Sequence, residues 1–453
     1  MLKTVAKYAH PTQPVAAYDK EKQHEFARHV ADESIVLLKN EGQLPLDHHN
    51  SVAIIGELAA KPRFQGGGSS HVNAHQLVTP LDAAPSNTHY AKGYSLDDND
   101  NEKDMEVAVK LAQQSDQVIF FAGFPEAMET EGFDKTSISL PKNQIDLLER
   151  VSMANDNVTV VLQNGSAVEM SRADQVPAIV ENYLAGEAVG QANWDVLSGK
   201  VNPSGKLAET FPLRLVANPP YGSFDRDLDN ENYSEGLMVG YSYYDLHHYP
   251  VRFPFGHGLS YTSFEYRDLT ITQSKTGVTV RFKLKNTGKL AGKEVAQLYV
   301  RNQTSHKVMP MQELRHFVKI ELHPGESQTV EFQLNRWAFS WYNPQDQRWE
   351  ADNGTYEIAI GSSSRDIRLT KHFWLTIGSE STQTISAESY IGDVLNSKDA
   401  KVQQALVESG LQKSLQSLAD SDGGAIFMNM PVRALVILGI DPQAIQHFIE
   451  LTQ

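Results

Sequence analysis

The chain has 453 residues, enough for two to four domains at roughly 100–200 residues each. Apolar residues make up 40% and charged residues 21%, a globular balance, and the formal charge of -16 argues against nucleic acid as a partner. The lack of cysteine excludes disulfides and thiolate metal sites, and no apolar run approaches the ~18–20 residues of a membrane span. The opening MLKTVAKYAHPTQP lacks the apolar stretch of a signal peptide, so the expected location is cytoplasmic.

In chain order, residues 19–40 predict a helix, with Phe26, Val30, Ile35, Leu37 and Leu38 at broadly helical spacing and Lys39 late. The run SVAIIGE (51–57) predicts a strand buried on both faces. A helix near 102–115, a strand at 117–122, a helix at 141–155, strands at 157–165 and 177–186, and a helix at 187–198 follow. Such alternation predicts an α/β fold with a mostly parallel sheet.

From about residue 264 the period changes to two. Val278, Val280, Phe282 and Leu284 share one face, and 329–334 and 355–361 alternate likewise. About seven such runs separated by turns predict an antiparallel all-β sandwich. After 377 the polar GSESTQTISAES reads as a linker, and 401–418 predicts a helix with Leu411, Leu415 and Leu418 on one face, in a small helical tail. The tail's apolar face must be covered by this chain or by a partner.

In an open parallel sheet, ligands bind beyond the C-terminal strand ends, which selects four loops: 58–75, 126–135, 164–170 and 186–190. QGGGSSH in the first lacks both the Gly-Lys-Ser/Thr ending of a phosphate loop and GxGxxG spacing, so a mobile glycine-rich loop is favoured. Arg63, Gln65, Ser69, Ser70 and His71 would still offer hydrogen bonds to a hydroxyl-rich ligand. EAMETEGFDK in the second crowds Glu126, Glu129, Glu131 and Asp134 together. Mutual repulsion there should raise the pKa of the least solvated acid and suit it to protonating a leaving oxygen. Three further stretches favour structural readings. DRDLDNEN (225–232) lacks the spacing of a calcium loop, the adjacent histidines of DLHHYP (245–250) point apart in regular structure, and GYSYYD (240–245) suits interdomain packing.

Several stretches together resemble the C-terminal part of glycoside hydrolase family 3 β-glucosidases. They are ARHVADESIVLLKNEGQLPL, KPRFQGGGSSH, ETEGFDK, SLPKNQIDLLE, VVLQNGSAVEM, GKVNPSGKLAETFP, EGLMVGYSYYD and FPFGHGLSYTSFEY. The resemblance implies an α/β sandwich domain over 18–263, a fibronectin type III-like domain over 264–376, and a linker with helical extension over 377–453. It makes Glu131 the general acid/base, Glu129 its tuning neighbour and Asp134 a support for the loop. Lys135 stands where the family usually has arginine. Arg63, Ser69, Ser70 and His71 correspond to a loop lining the outer sugar subsite. No cofactor is implied. The family's preceding TIM-like barrel, which carries the Asp nucleophile, has no counterpart here, and residues 1–17 resemble the end of its last helix with a linker, Leu2, Val5 and Ala6 facing inward.

The resemblance therefore implies half of a retaining β-glucosidase acting on a β-glucoside or short oligosaccharide, with a separate barrel polypeptide as partner and no nucleic acid or membrane. A catalytically inactive remnant or carbohydrate-binding module, and a truncated reading of a longer gene, are the alternatives.

Overall fold

The computed structural model describes residues 18–452 apart from 98–100, 171–172, 228, 275–276, 306–308, 345–347, 377–384, 398 and 422. The expected remnant of a barrel helix at 1–17 lies outside the described residues. Two compact units divide at residue 375.

The first unit opens with helix α1 (Lys20–Ser34), capped by the Asp19 carboxylate on the Lys22 N–H. The predicted helix over 19–40 stops here, because Val36–Asn40 form strand β1. The apolar residues of that stretch thus belong to two elements. Ile35, Leu37 and Leu38 are buried, whereas Phe26 and Val30 remain 62% and 50% exposed on α1.

Strands β2 (Val52–Ile55), β3 (Thr88–Ala91), β4 (Gln117–Gly123), β5 (Val158–Gln163) and β6 (Ala178–Glu181) join β1 in one sheet of order β1-β6-β5-β4-β2-β3. Every pairing is parallel except β1 with β6. The central strands β2, β4, β5 and β6 are buried at every position, which accounts for their unbroken apolar runs. Edge strand β3, sequence THYA, is mostly exposed and carries no such signal. Helices α2 (Glu102–Gln114) and α3 (Lys142–Ala154) pack on each other, as do α1 and α4 (Val189–Leu197). A two-stranded ribbon, β7 (Phe211–Pro212) and β8 (Val251–Phe253), brackets the short helix α5 (Tyr241–Leu246).

Seven long strands then build the sandwich. Three of them, β9 (Phe264–Gln273), β10 (Val278–Asn286) and β13 (Ser327–Leu334), form one sheet. The facing sheet has order β12-β11-β16-β17, from β11 (Gly292–Asn302), β12 (Glu313–Leu322), β16 (Gly354–Gly361) and β17 (Ile367–Leu375). A small hairpin, β14 (Ser340–Asn343) and β15 (Arg348–Ala351), lies between. The predicted faces are real: Val278, Val280, Phe282 and Leu284 are buried, with Phe282 against Phe332 at 6.0 Å between ring centroids.

The sandwich is tied to the α/β part by half-buried polar contacts. Tyr241 stacks on Phe255 at 4.6 Å, and its hydroxyl accepts the Leu314 N–H at 2.8 Å. Glu33 on α1 receives Lys319 at 3.0 Å and also Lys293, while Glu294 receives Lys206 at 3.3 Å and the Tyr266 hydroxyl at 2.7 Å.

The second unit holds helices α6 (Ile391–Leu395), α7 (Ala400–Glu408), α8 (Leu411–Ala419), α9 (Gly424–Met428) and α10 (Pro442–Thr452). The single helix expected at 401–418 is two, because Gly410 at φ +74° reverses the chain in a conformation that side chains with a Cβ resist. Val402, Leu406, Leu411, Leu415, Val432 and Phe448 close a core within the unit itself.

Candidate active site

Strand β4 delivers the acidic loop. Its last residue, Gly123, exchanges hydrogen bonds with the Gln144 side chain on α3, at 3.0 Å and 2.9 Å. Phe124 then plugs the core, and Glu126–Met128 form one 3-10 turn before Glu129.

Glu129 is clamped. Its carboxylate accepts from Lys135 Nζ at 2.6 Å, Ser166 Oγ at 2.7 Å and the Gly165 N–H at 2.6 Å, and Arg63 Nη2 lies 3.8 Å away. Burial pushes this carboxyl up, but the Lys135, Ser166 and Gly165 donors outweigh it, so the net pKa is below the ordinary value. The expectation that crowding raises the least solvated acid is therefore reversed. Cations and N–H groups, supplied by three different loops, replace repulsion as the main influence. Lys135 also sits 3.8 Å over the Phe124 ring centroid, so this side chain turns inward.

Glu131 is exposed and points the other way. Its Oε2 accepts the Ser69 N–H at 2.7 Å, and Ser69, through side chain and backbone, lowers its pKa. The glycine run of 66–68 has a packing reason. A Cβ on Gly67 would lie 2.6 Å from Thr130 Oγ1, and one on Gly68, at φ +70°, 2.6 Å from Glu131 Cβ. The two loops thus meet closer than side chains allow, and the glycine-rich loop presents an N–H to the acid.

The remaining residues of 63–71 divide by burial. Arg63, 7% exposed, lies beneath the acidic loop. Its backbone N–H donates to Gln163 Oε1 at 2.9 Å, Nη1 to Phe124 O at 3.2 Å and Nη2 to Glu129 O at 3.3 Å. It braces the backbone that carries the acids. Gln65 is half-buried and accepts the Val72 N–H at 2.9 Å, cinching the loop. Ser69, Ser70 and His71 are exposed. Ser70 Oγ donates to Gly67 O at 2.8 Å, and His71 Nε2 lies 3.5 Å from Glu126. The structure therefore brings Glu131, Ser69, Ser70 and His71 to one surface and sets Arg63 and Glu129 behind it.

Sequence reasoning missed the residues that hold this surface. Ser166 and Gly165 anchor Glu129 from the β5 loop. Glu187, after β6, accepts His24 Nδ1 at 2.9 Å and the His75 N–H at 3.0 Å, linking α1 to the glycine-rich loop. Fully buried Glu181, hydrogen-bonded by Tyr183 N and Asn164 Nδ2, has its pKa driven well up by burial. The NGS turn at 164–166 was the available signal for the first two.

Comparisons with known proteins bear on the family and the fold. The family model described as the glycosyl hydrolase family 3 C-terminal domain matches residues 35–261, and a fibronectin type III-like domain model matches 294–364. The chain is 42% identical to thermostable beta-glucosidase B of Acetivibrio thermocellus, over 93% of this chain and 58% of that protein. It is 36% identical to an exo-alpha-(1->6)-L-arabinopyranosidase of Bifidobacterium longum, over 95% and 59%. The crystal structure of a Bifidobacterium adolescentis family 3 beta-glucosidase superposes with TM-score 0.80 at 33% identity, covering 89% of this chain and 60% of that one. The chain thus spans about three fifths of the length of the relatives it matches. By domain models, identity and fold together, it belongs to glycoside hydrolase family 3.

Proposed function

We propose that this chain is the acid/base-bearing component of a retaining β-glucosidase whose nucleophile lies on another part of the enzyme, a barrel domain or partner chain. The observation that carries the reading is the exposed Glu131 carboxylate, held by the Ser69 N–H where two loops cross beyond the C-terminal strand ends.

A retaining glycosidase needs two carboxyl groups about 5–5.5 Å apart. Glu129 is the near neighbour, but three hydrogen bonds and an ion pair fix it, which leaves it no freedom to attack an anomeric carbon. With Glu129 so held, we assign the attacking carboxylate to the barrel, as the family resemblance implies. Its arrival does two things. It completes the pair, and its charge, with the burial of Glu131 under sugar and partner, pushes the Glu131 pKa upward. In the first step Glu131 protonates the leaving oxygen while the other carboxylate bonds to the anomeric carbon and the glycosidic bond breaks. In the second, the Glu131 carboxylate takes a proton from the water that releases the sugar. Ser69, Ser70 and His71, exposed beside Glu131, would meet hydroxyls of the outer sugar. The free chain, with an exposed acid held ionised, does not suit the first step, and without the intermediate formed there the second has nothing to act on.

The relatives named as beta-glucosidases make an aryl β-glucoside the first substrate to try. Mixing this chain with a separately produced barrel portion should give hydrolysis that neither half shows. Glu131→Gln should lower that rate by about 10²–10⁴-fold. No gain on mixing, with weak cellobiose binding indifferent to Glu131→Gln in calorimetry, would instead identify a carbohydrate-binding module without catalysis.

A further inference from the structure

Adjacent histidines occur twice in this chain, at 47–49 (Asp-His-His) and at 247–248. Neighbouring side chains point to opposite faces of a strand and well apart on a helix, so such a pair does not ordinarily share a ligand. The second pair follows this rule. His247 stacks on Tyr249 with centroids 5.3 Å apart, and His248 leaves α5 at φ +52°. The first pair does not. In the turn between β1 and β2 the His48 and His49 rings converge to 3.9 Å between centroids. The Asp47 carboxylate joins them, and one donor atom from each of the three lies within 4.8 Å of the other two. Among the described residues this is the one group of three metal-ligating side chains so arranged.

The backbone under these side chains is anchored on both sides. Leu46 N–H donates to Leu197 O at 2.8 Å, and Asn50 N–H to Asp47 O at 3.1 Å. Asn87 Nδ2 holds Asn50 O at 2.7 Å, and Ser51 N–H donates to the Asp116 carboxylate at 2.8 Å. The His49 N–H donates to Asp47 Oδ1 at 2.9 Å, and the same oxygen lies 3.9 Å from His48 Nδ1. The backbone of the turn is therefore tied down beneath the exposed rings.

We propose that Asp47, His48 and His49 form a surface site for a borderline first-row divalent ion of the zinc class. Two imidazole nitrogens and one carboxylate oxygen suit such an ion, whereas calcium and magnesium take oxygen donors. Tetrahedral ligation at ~2.0–2.1 Å requires donors roughly 3.4 Å apart, a closure that small ring rotations provide. Water fills the remaining positions, because the site faces solvent. The loop enters β2 at its N-terminal end, while Glu131 lies beyond the C-terminal ends, so the ion takes no part in hydrolysis. The proposal does not depend on the glycosidase reading. Its effect is mechanical: the ion crosslinks the turn that joins the antiparallel edge strand to the parallel sheet.

Isothermal titration of the full chain with zinc chloride near neutral pH tests this, with magnesium chloride as the control. The expected result is stoichiometric zinc uptake and no magnesium uptake. His48→Ala/His49→Ala should weaken zinc binding at least tenfold, and His247→Ala/His248→Ala should leave it unchanged. Acidification should weaken it too, since a protonated imidazole has no lone pair to give. In the unaltered chain, zinc should move the imidazole NMR resonances of His48 and His49 ahead of other histidines. Absence of zinc uptake, equal binding by the His48→Ala/His49→Ala chain, or first movement of other histidine resonances would overturn the proposal.

Discussion

Glu129 and Glu131 stand two residues apart and have opposite surroundings. The side chain of the first is 15% exposed and locked by Lys135, Ser166, Gly165 and Arg63; the second is open to solvent with one backbone donor. Only the folded loop separates them. The sequence EAMETEGFDK shows four acids and cannot say which faces inward, since that depends on Gly165 and Ser166 some 30 residues later. Family resemblance singled out Glu131 where residue chemistry alone did not. The clamp makes a pH-dependent prediction. The folded pKa of Glu129 lies below its unfolded value, so the folded chain binds fewer protons there. The clamp's stabilisation is complete above the ordinary glutamate range, near about 4.3, and is lost as pH falls through the lowered folded value. Lys135→Met should cost about 1.5–3 kcal/mol at pH 7, the worth of a hydrogen bond to a charged group. Urea unfolding should show that cost shrinking as the pH is lowered from 7 toward 4, because protonating Glu129 removes the charge the lysine pairs with. An equal cost at both pH values would mean the lysine acts by packing on Phe124 rather than by charge.

Helix α1 is the element that sequence periodicity described least well. Its inner stripe is polar: His24, Arg28 and Asp32 face α4 and the β6 loop, with Arg28 Nε on Asp195 at 2.7 Å and His24 on Glu187 and Gln191. Its apolar residues Phe26 and Val30 face solvent. A pattern rule that sends apolar residues inward therefore inverts this helix, and the apolar run after it belonged to β1. The central strands, by contrast, were legible because burial on both faces leaves an unbroken apolar run, and the sandwich strands because one-sided burial enforces alternation. Asp32 is the weak point of α1. Burial, helped by Asp195, pushes its carboxyl up to about 6, and its Oδ1 has no hydrogen-bond partner among the described residues. A raised folded pKa means the folded state binds the extra proton, so stability falls as pH climbs from the ordinary aspartate range through about 6. Asp32→Asn should stabilise the chain at pH 7 by about 1–2 kcal/mol and by little at pH 4, read by denaturant midpoints at the two pH values.

At the scale of the whole molecule, the tail is a unit with its own core rather than an apolar face awaiting cover. Phe448→Ala removes a fully buried ring and should cost that unit about 3–5 kcal/mol. Hydrogen exchange should then lose protection across 385–452 while the strands of the first unit keep theirs. Loss of protection spreading into β4 and β5 would show that the two units unfold as one. Within the first unit, ion pairs join the sandwich to the α/β part. Glu33 grips two lysines of the sandwich, and Glu294, 5% exposed and hydrogen-bonded by Tyr266 within the sandwich, faces Lys206 across the junction. Anyone trimming this scaffold to a minimal catalyst by cutting near residue 263 would strip Glu33 of both its countercharges and leave Lys206 without its acid. The shortened product would inherit a loosened α1, and through His24 and Glu187 a slack glycine-rich loop, although the cut lies far along the chain from the acid it disturbs.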